Sequence, residues 1–529
     1  MCRRVAHGFA RLEEHRPLLS SFNPDAKNAA LFAGYLAQWV DVGFQRLALI
    51  KEIVAKFSRD VRARLPLLDY LHLRMAQGMV AMAEESTDAA IRHFDFVLSL
   101  EQETDDQELL SIVNFWKSRC LRMQGEYDQA LAFAVKGREL ATKLGHPPMG
   151  AVMRVLESWL LFQKGNAKDA VEILQTAESI LRKTDDYLTL GNIYSSYGRI
   201  ARRQGRYQHA IENFITAITL YRRLDSQHRN VARSLNNMAY VKRLITLQLR
   251  RKIDAEAARH RKAAVRGTAT NGPGKPSYRL RFEQLREEAV AELKEAQTIY
   301  EKYGNHHGLG SVYLNYGYLH LDSGDLEDAE KEAETAFHLA SERNDRILMA
   351  RTRLLRCMIE NVRVEEGIGE NSEPGNHARL AQDFAQEAIE LAKHTENRRL
   401  LAYAHIWQGL TSSNRFFNDL NSARLCYDQA VTLSKGVHAE GAWDDLQTLK
   451  ARVLRAGSVN PVLRAWSQGS IGDKTFQQIT EEFAELIIPK VWELEGRKIS
   501  RVATRLSISP KKVRRILSRV GRRKPPKGS

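Results

Sequence analysis

A forty-residue period governs the middle of this 529-residue chain. The segments GEYDQALAFAVKG (125–137), GNAKDAVEILQTA (165–177), GRYQHAIENFITA (205–217) and GDLEDAEKEAETA (324–336) share one skeleton. A Gly comes first, an Ala follows five positions later, and a small residue follows at twelve. The alanines stand at Ala90, Ala130, Ala170 and Ala210, each 40 apart, resume at Ala289 and Ala329, and continue at Ala381 and Ala423. A turn-forming Gly followed by small residues at helical spacing predicts a helical hairpin. The Gly admits the tight connection, and the small residues let two helices approach closely. One hairpin cannot bury its apolar face alone, so copies must stack.

Composition agrees with an all-α protein: only 13 prolines occur, and helix formers dominate. The repeat resembles the tetratricopeptide repeat (TPR), in a variant longer than the usual period. It recurs about eight times over roughly residues 70 to 440. The resemblance implies an α-solenoid, a right-handed superhelix whose concave groove holds peptides or partner segments. The expected division is a helical cap or degenerate repeat over 1–68, a TPR-like solenoid over 69–440, and a linker or capping helix over 441–472. A helix–turn–helix domain over 473–524 and a tail over 525–529 complete it.

The period breaks between Ala210 and Ala289, which lie 79 residues apart with only one second-helix pattern, REEAVAELKEAQTIY, between them. The expected arrangement is one repeat whose first helix runs from about Arg229 toward Arg266, then a loop at GTATNGPGK, then the second helix. A degenerate extra repeat is the competing reading. The segment 240–282 holds twelve Lys or Arg against Asp254 and Glu256, so the extension would project a basic arm able to touch nucleic acid or simply be solvated. A second insert, EEGIGENSEPGNH (365–377), reads as a polar loop.

Charge is concentrated again at the end. Gly496–Ser529 carries thirteen Lys or Arg and no acid, out of a formal net charge of +16. Without these two basic segments the rest of the chain is mildly acidic. Such local basicity points to a polyanionic partner. No run of about 18 apolar residues occurs, so no membrane span is expected, and MCRRVAHGFARLEEH lacks the apolar stretch of a secretory signal. Cys2, Cys120, Cys357 and Cys426 form no CxxC pair and read as reduced thiols of a cytoplasmic protein.

Inside the basic end lies ISRVATRLSISPKKVRRIL. Before it, KTFQQITEEFAELIIPKVWELE (474–495) is amphipathic, with Phe476, Ile479, Phe483, Leu486, Ile487 and Leu494 at helical spacing and Pro489 as an interruption. A short helix from about Ile499 to Leu506 should place Val502, Ala503 and Leu506 inward. Ser507–Ile508–Ser509 forms the turn, Ser509 caps a new helix and Pro510 starts it. Val513, Ile516 and Leu517 anchor that helix. Lys511, Lys512, Arg514 and Arg515 are then candidates for base contacts in a DNA major groove. Arg497, Arg501, Arg505, Arg519, Arg522, Arg523 and Lys524 are candidates for phosphate contacts.

The segment from Phe476 to Leu517 resembles the C-terminal DNA-binding domain of Fis-type bacterial regulators, through the long helix, Ala503, Leu506, Ile508 and Val513. It departs from that family at Arg497–Lys498, at Ser507 where the family has its turn Gly, and at Lys512. The resemblance implies a homodimer formed through the first helices on a pseudo-palindromic site. Trp492 would serve that interface or pack within the domain.

Registering the inner helices on Gly198, Ala239 and Gly317 places Asn192 with Ser196, Arg233 with Asn237, and Ser311 with Asn315 on the groove. Registering on Cys357 adds Arg351 beside an apolar Leu355. Asn192, Arg233, Asn237, Asn315 and Arg351 are therefore the candidate peptide-groove residues, since Asn can pair with a peptide backbone and Arg with a carboxylate. They equally suit a solvated surface. No phosphate loop, HExxH or GxSxG occurs, and His306–His307 reads as a surface turn. No catalytic residue, metal or cofactor is expected. The functional expectation is a transcriptional regulator that binds double-stranded DNA and takes a peptide or protein ligand in its groove. The alternatives are a TPR scaffold whose basic end docks on RNA or an acidic protein, or an adaptor whose terminal module only dimerises.

Overall fold

The computed structural model describes residues 3–43, 47–265, 277–367, 374–435, 442–457 and 472–522. They form two compact units, Met1–Lys450 and Ala451–Ser529. Within the first unit, eight consecutive helical hairpins carry the period. They are α7/α8 (Leu67–Ala83, Thr87–Ser99), α9/α10 (Gln107–Gln124, Tyr127–Lys143), α11/α12 (Pro147–Gln163, Ala167–Leu181), α13/α14 (Tyr187–Arg203, Tyr207–Arg222), α15/α16 (Arg229–Val265, Ser277–Tyr303), α17/α18 (His306–Ser323, Leu326–Glu342), α19/α20 (Arg346–Glu366, Pro374–Lys393) and α21/α22 (Arg398–Ser412, Leu420–Ser434). Helix α23 (Ala442–Gly457) covers the last of these through Leu446 and Leu449, both buried.

Each repeat alanine has the role its spacing assigned. Ala90, Ala130, Ala170, Ala210, Ala289, Ala329, Ala381 and Ala423 are all fully buried. Twelve residues before several of them, the first helix of the hairpin presents a residue small enough for contact. Ser118 and Ser158 donate to the backbone oxygens of Ala130 and Ala170, at 2.6 and 2.9 Å. A Cβ added at Gly317 would lie 3.2 Å from the Ala329 oxygen. The turn glycines Gly125, Gly165, Gly205 and Gly324 have φ between 72 and 101°, the left-handed conformation that admits Gly without steric cost.

The break in the period is one elongated hairpin. Helix α15 runs unbroken from Arg229 to Val265 and α16 returns from Ser277. The loop expected at GTATNGPGK lies outside the described residues. Several arm cations already have partners: Lys242 pairs with Glu288 at 2.7 Å, Arg243 with Asp322 at 2.5 Å and Arg251 with Asp444 at 2.7 Å. The second insert is shorter than expected. Helix α19 extends to Glu366, and α20 starts at Pro374, where a missing N–H costs nothing. His377, on its first turn, reaches Glu360 at 2.6 Å.

The N-terminal part is more than a cap. Six short helices precede the repeats: α1 (Val5–Glu14), α2 (Arg16–Ser20), α3 (Ala29–Ala37), α4 (Trp39–Val42), α5 (Leu47–Ala55) and α6 (Arg59–Arg64). Helix α3 does cap the array, packing Gly34 against α7 beside His72. Helix α1 instead packs against α13 of the fourth hairpin. Val5 is buried in the same cluster as Leu188, Arg3 donates to Asp186 at 2.7 Å, and the His7 amide donates to Asp185 at 3.0 Å.

The superhelix also touches itself. The Glu396 amide donates to the Gly125 oxygen at 3.0 Å, and the Asp128 amide to Glu396 at 2.6 Å. Asn305 donates to Glu85 at 2.7 Å, and Arg399 to Gln163.

Among the described residues of the second unit, three helices follow residue 472: Phe476–Leu494, Ile499–Arg505 and Pro510–Arg522. Ile488, Val502, Ala503, Val513 and Ile516 form its core, with Ala484, Val491, Trp492, Leu506, Ile508 and Leu517 around them. The first helix passes through Pro489 without interruption. Thr475 and Gln478 cap its start reciprocally. Phe476, Phe483 and Leu494 remain exposed.

Candidate functional site

A cavity of 390 Å³ opens between α1, α3, α4 and the first helices of four successive hairpins, α9, α11, α13 and α15, here called the inner helices. Its lining holds six arginines (Arg3, Arg4, Arg119, Arg122, Arg199 and Arg233) and one acid, Asp41. Asp41 is doubly engaged. Arg119 holds it with two bonds of 2.5 and 2.9 Å, and Arg229 holds it as well. Burial alone would raise the Asp41 pKa, but these two guanidiniums outweigh it and keep the carboxyl far below the usual carboxylate range.

Arg122, Arg199 and Arg233 have no carboxylate partner among the described residues. Arg199 donates to Ser196 at 3.0 Å and to the Ser195 oxygen at 3.3 Å, and Arg233 donates to Asn192 at 2.7 Å. The Arg122 guanidinium lies 4.9 Å above the Trp159 ring, as Arg119 lies 4.8 Å above Trp116. Burial, then repulsion from neighbouring arginines, pushes both Arg122 and Arg199 down to about 9. A guanidinium does not release its proton near neutrality. The electrostatic cost therefore stands as attraction for an anion.

Asn192, Ser196 and Arg233 line the cavity. Asn237 lies beside it, donating to the Arg233 oxygen at 2.7 Å and accepting from Arg202 at 3.2 Å. Asn315 is buried, with its amide engaged by Asn236 at 2.7 Å, because α15 and α17 pack directly against one another there. Arg351 does not line this cavity. The reading of the sequence missed Arg119, Trp159 and Arg199. These three are themselves 40 apart, one residue past the crossing residues Ser118, Ser158 and Gly198. Carrying the register one residue further would have found them. Arg3, Arg4 and Val5 carry no such signal, being brought in by α1.

In the terminal unit, Lys511, Lys512, Arg514 and Arg515 are exposed, while Val513 and Ile516 are buried. The Ser509 hydroxyl accepts from the Lys512 amide at 3.2 Å. Arg519 pairs with Glu481 at 2.9 Å and Glu485 at 3.4 Å, Arg515 approaches Glu481 at 3.9 Å, and Arg505 pairs with Glu495. Among the described residues, Lys511 and Arg514 have no carboxylate within ion-pair distance. Arg497 takes φ 62° after the first helix, its guanidinium 5.6 Å from the Trp492 ring, and Arg501 is exposed. Ser507, where the resembled family has Gly, takes φ 52°. Trp492 packs within the unit's own core. The Arg522 side chain, Arg523 and Lys524 lie outside what is described.

His306 and His307 open α17 and pair with Glu342 and Asp345. Among the described residues, no group of three or more His, Cys, Asp or Glu could hold a metal ion. Cys120, Cys357 and Cys426 are buried free thiols. No described helix is long and apolar enough to cross a membrane.

Comparison with known proteins agrees on the repeat. Residues 159–223 and 189–245 match the tetratricopeptide repeat. Among solved structures, the chain is similar to a Rap protein complexed with competence and sporulation factor (11% identity, 78% of this chain and 98% of that one, TM-score 0.54). Weaker similarity extends to IFIT1 with Gppp-AAAA (12%, 80% and 80%, TM-score 0.45) and to the apo quorum sensor NprR from B. thuringiensis (15%, 63% and 95%, TM-score 0.38). No curated protein sequence matches the chain. The chain carries tetratricopeptide repeats over residues 159–245, its fold is a TPR-like solenoid of helical hairpins, and the first helices of those hairpins line an arginine-rich cavity.

Proposed function

We propose that this protein is a ligand-responsive regulator: its solenoid takes up a peptide or protein partner along the groove, and its terminal unit engages double-stranded DNA. The observation that carries the first half is the concave stripe. Asn192, Arg233 and Asn237, with Arg199 and Arg202, form one hydrogen-bonded polar surface on the inner helices. A Rap protein of the same fold holds a separate factor, which supports a groove built for a partner. In this reading Asn192, Arg233 and Asn237 contact the partner, Arg351 lies further along the groove, and Asn315 supports the wall.

The second half rests on residues 473–524 acting as a helix–turn–helix domain. Lys511 and Arg514 would reach bases, with Lys512 and Arg515 beside them. Arg497, Arg501, Arg505, Arg519, Arg522, Arg523 and Lys524 would follow phosphates. The exposed Phe476, Phe483 and Leu494 would meet a second copy. The test is selection of random duplexes by the full-length protein, then footprinting with Arg514→Ala/Arg515→Ala. A defined site whose preference the double variant loses supports the reading, and a site unchanged by it rejects the assignment.

A second reading is a scaffold whose basic end docks on RNA or an acidic protein surface. It is favoured by the ion pairs of Arg505 and Arg519, which withdraw cations from DNA phosphates. It predicts equal affinity for any polyanion and no preferred sequence.

A further inference from the structure

The cavity at the N-terminal end of the groove has an unequal supply of hydrogen-bonding groups. Its side-chain acceptors are largely occupied. Asn192 Oδ1 accepts from Arg233 at 2.7 Å, Tyr221 at 2.9 Å and Asn230 at 3.2 Å. Gln38 Oε1 accepts from Trp116 at 3.2 Å, Thr189 Oγ1 from Arg3 at 3.2 Å, and Asp41 from two arginines. Asn230 Oδ1 is the lining amide oxygen that no described group bonds.

Donors, by contrast, remain. The Arg122 guanidinium, stacked over Trp159, makes no hydrogen bond to any described residue. Arg233 Nε and Trp159 Nε1 are buried with no acceptor. A buried donor without an acceptor is destabilising, and a ligand that supplies the acceptor removes that cost. The same lining carries the aliphatic Ile112, Val152, Val155 and Leu156, on the helices that bear Arg122 and Trp159.

A peptide or a nucleotide fits this pattern poorly. Each brings N–H or O–H donors that would meet engaged acceptors and an aliphatic surface, and an unpaired polar group is penalised on either side of an interface. A ligand with acceptors at one end and an apolar body at the other leaves nothing unpaired. The volume of 390 Å³ lies near the lower end of the ~300–1,000 Å³ typical of small-molecule sites. We infer that this cavity is a separate site for a small organic acid. The acid carries a carboxylate on a compact apolar body without hydrogen-bond donors, and its carboxylate is held by Arg122, Arg199 and Arg233. The site adjoins the proposed partner groove and shares Arg233 with it, the partner segment running on past Asn237, and occupancy of one does not require occupancy of the other.

Isothermal titration calorimetry on the full chain tests this with 1-naphthoate, its neutral amide 1-naphthamide, and inorganic phosphate. Naphthoate is expected to bind at least tenfold more tightly than either, since the amide loses the charge and adds donors while phosphate lacks the apolar body. Arg199→Met and Arg122→Met should each weaken naphthoate at least tenfold, and Val155→Phe should exclude it by filling the cavity. The comparison of acid with amide uses the unaltered protein, so it holds even if a variant fails to fold. Equal binding of naphthoate and naphthamide overturns the inference. So does phosphate binding as tightly as naphthoate, or naphthoate binding unaffected in a folded Val155→Phe variant. Loss of peptide binding or of DNA selectivity would remove the proposed function and leave this site standing.

Discussion

Replacing Asp41 with Asn should destabilise the region around the cavity by about 2–4 kcal/mol. Asp41 is the one carboxylate lining the cavity, and it answers both Arg119 and Arg229. Two unit charges about 4 Å apart attract by roughly 4 kcal/mol at an effective dielectric constant of about 20, so the two pairs together give a gross attraction near 8 kcal/mol. Desolvation of three ions cancels much of that sum, which makes the net worth of the cluster small. Removing only the anion is another matter, because two cations stay behind beside Arg122 and Arg199. Breaking a buried pair in this way costs about 3–5 kcal/mol. The side chains of Asp41, Arg119 and Arg229 retain 13, 20 and 27% of their exposure, so water screens part of the loss and the lower range applies. Urea unfolding followed by tryptophan fluorescence is the assay, since Trp39 lies two residues away and Trp116 lies under Arg119. Added 1-naphthoate should restore part of the lost stability, as any ligand specific to the native state must. A variant within 0.5 kcal/mol of the parent would refute the charge accounting.

His228 gives a pH signature. It is buried, and burial, then the Arg229 charge, brings its pKa down to about 4 against about 6.5 in an unfolded chain. The unfolded state therefore binds more protons between those values, and stability is lost as pH falls from about 6.5 toward 4, by up to about 3 kcal/mol. His228→Asn should flatten that limb of a stability–pH profile, and an unchanged profile would exclude His228 as a source. Gly317→Ala should cost about 1–3 kcal/mol in urea unfolding, since the new Cβ would lie 2.7 Å from Leu355 Cδ2 and 3.2 Å from the Ala329 oxygen. A neutral outcome would mean that the crossing is looser than its distances imply. In the terminal unit, the double variant Glu481→Gln/Glu485→Gln releases Arg519 and Arg515. If that unit binds DNA, the salt dependence of binding should steepen by about one phosphate contact, measured by fluorescence anisotropy across salt concentrations. An unaltered slope would remove Arg519 from the phosphate set.

The hairpins were legible because their constraint is local and repeated. A fully buried alanine every forty residues tolerates little else, so the ladder from Ala90 to Ala210 fixes helix pairing before any contact is known. Asn192 and Arg233 were legible for the same reason, lying at one register position of successive inner helices. Asn315 lies four residues further along the stripe, at the position of Ser196 and Asn237, yet it is enclosed, because the outcome depends on how closely two neighbouring inner helices lie, which the repeat alone does not encode. Arg199 escaped because the register stopped at the crossing residue. The return of α1 to α13 was not legible at all. Arg3, Val5 and His7 are ordinary residues in no periodic pattern, and their partners lie more than 170 positions away.

A row of hairpins joined only to nearest neighbours would behave as a one-dimensional array, able to fray from its ends and flex like a spring. The bonds from Glu85 to Asn305, from Gly125 and Asp128 to Glu396, and from Gln163 to Arg399 fasten the first hairpin to the start of the sixth, and the second and third to the start of the eighth. Pulling one end should therefore meet a single steep force barrier in place of stepwise peeling. A lesion near Glu396 should loosen residues around Gly125 as readily as those beside it.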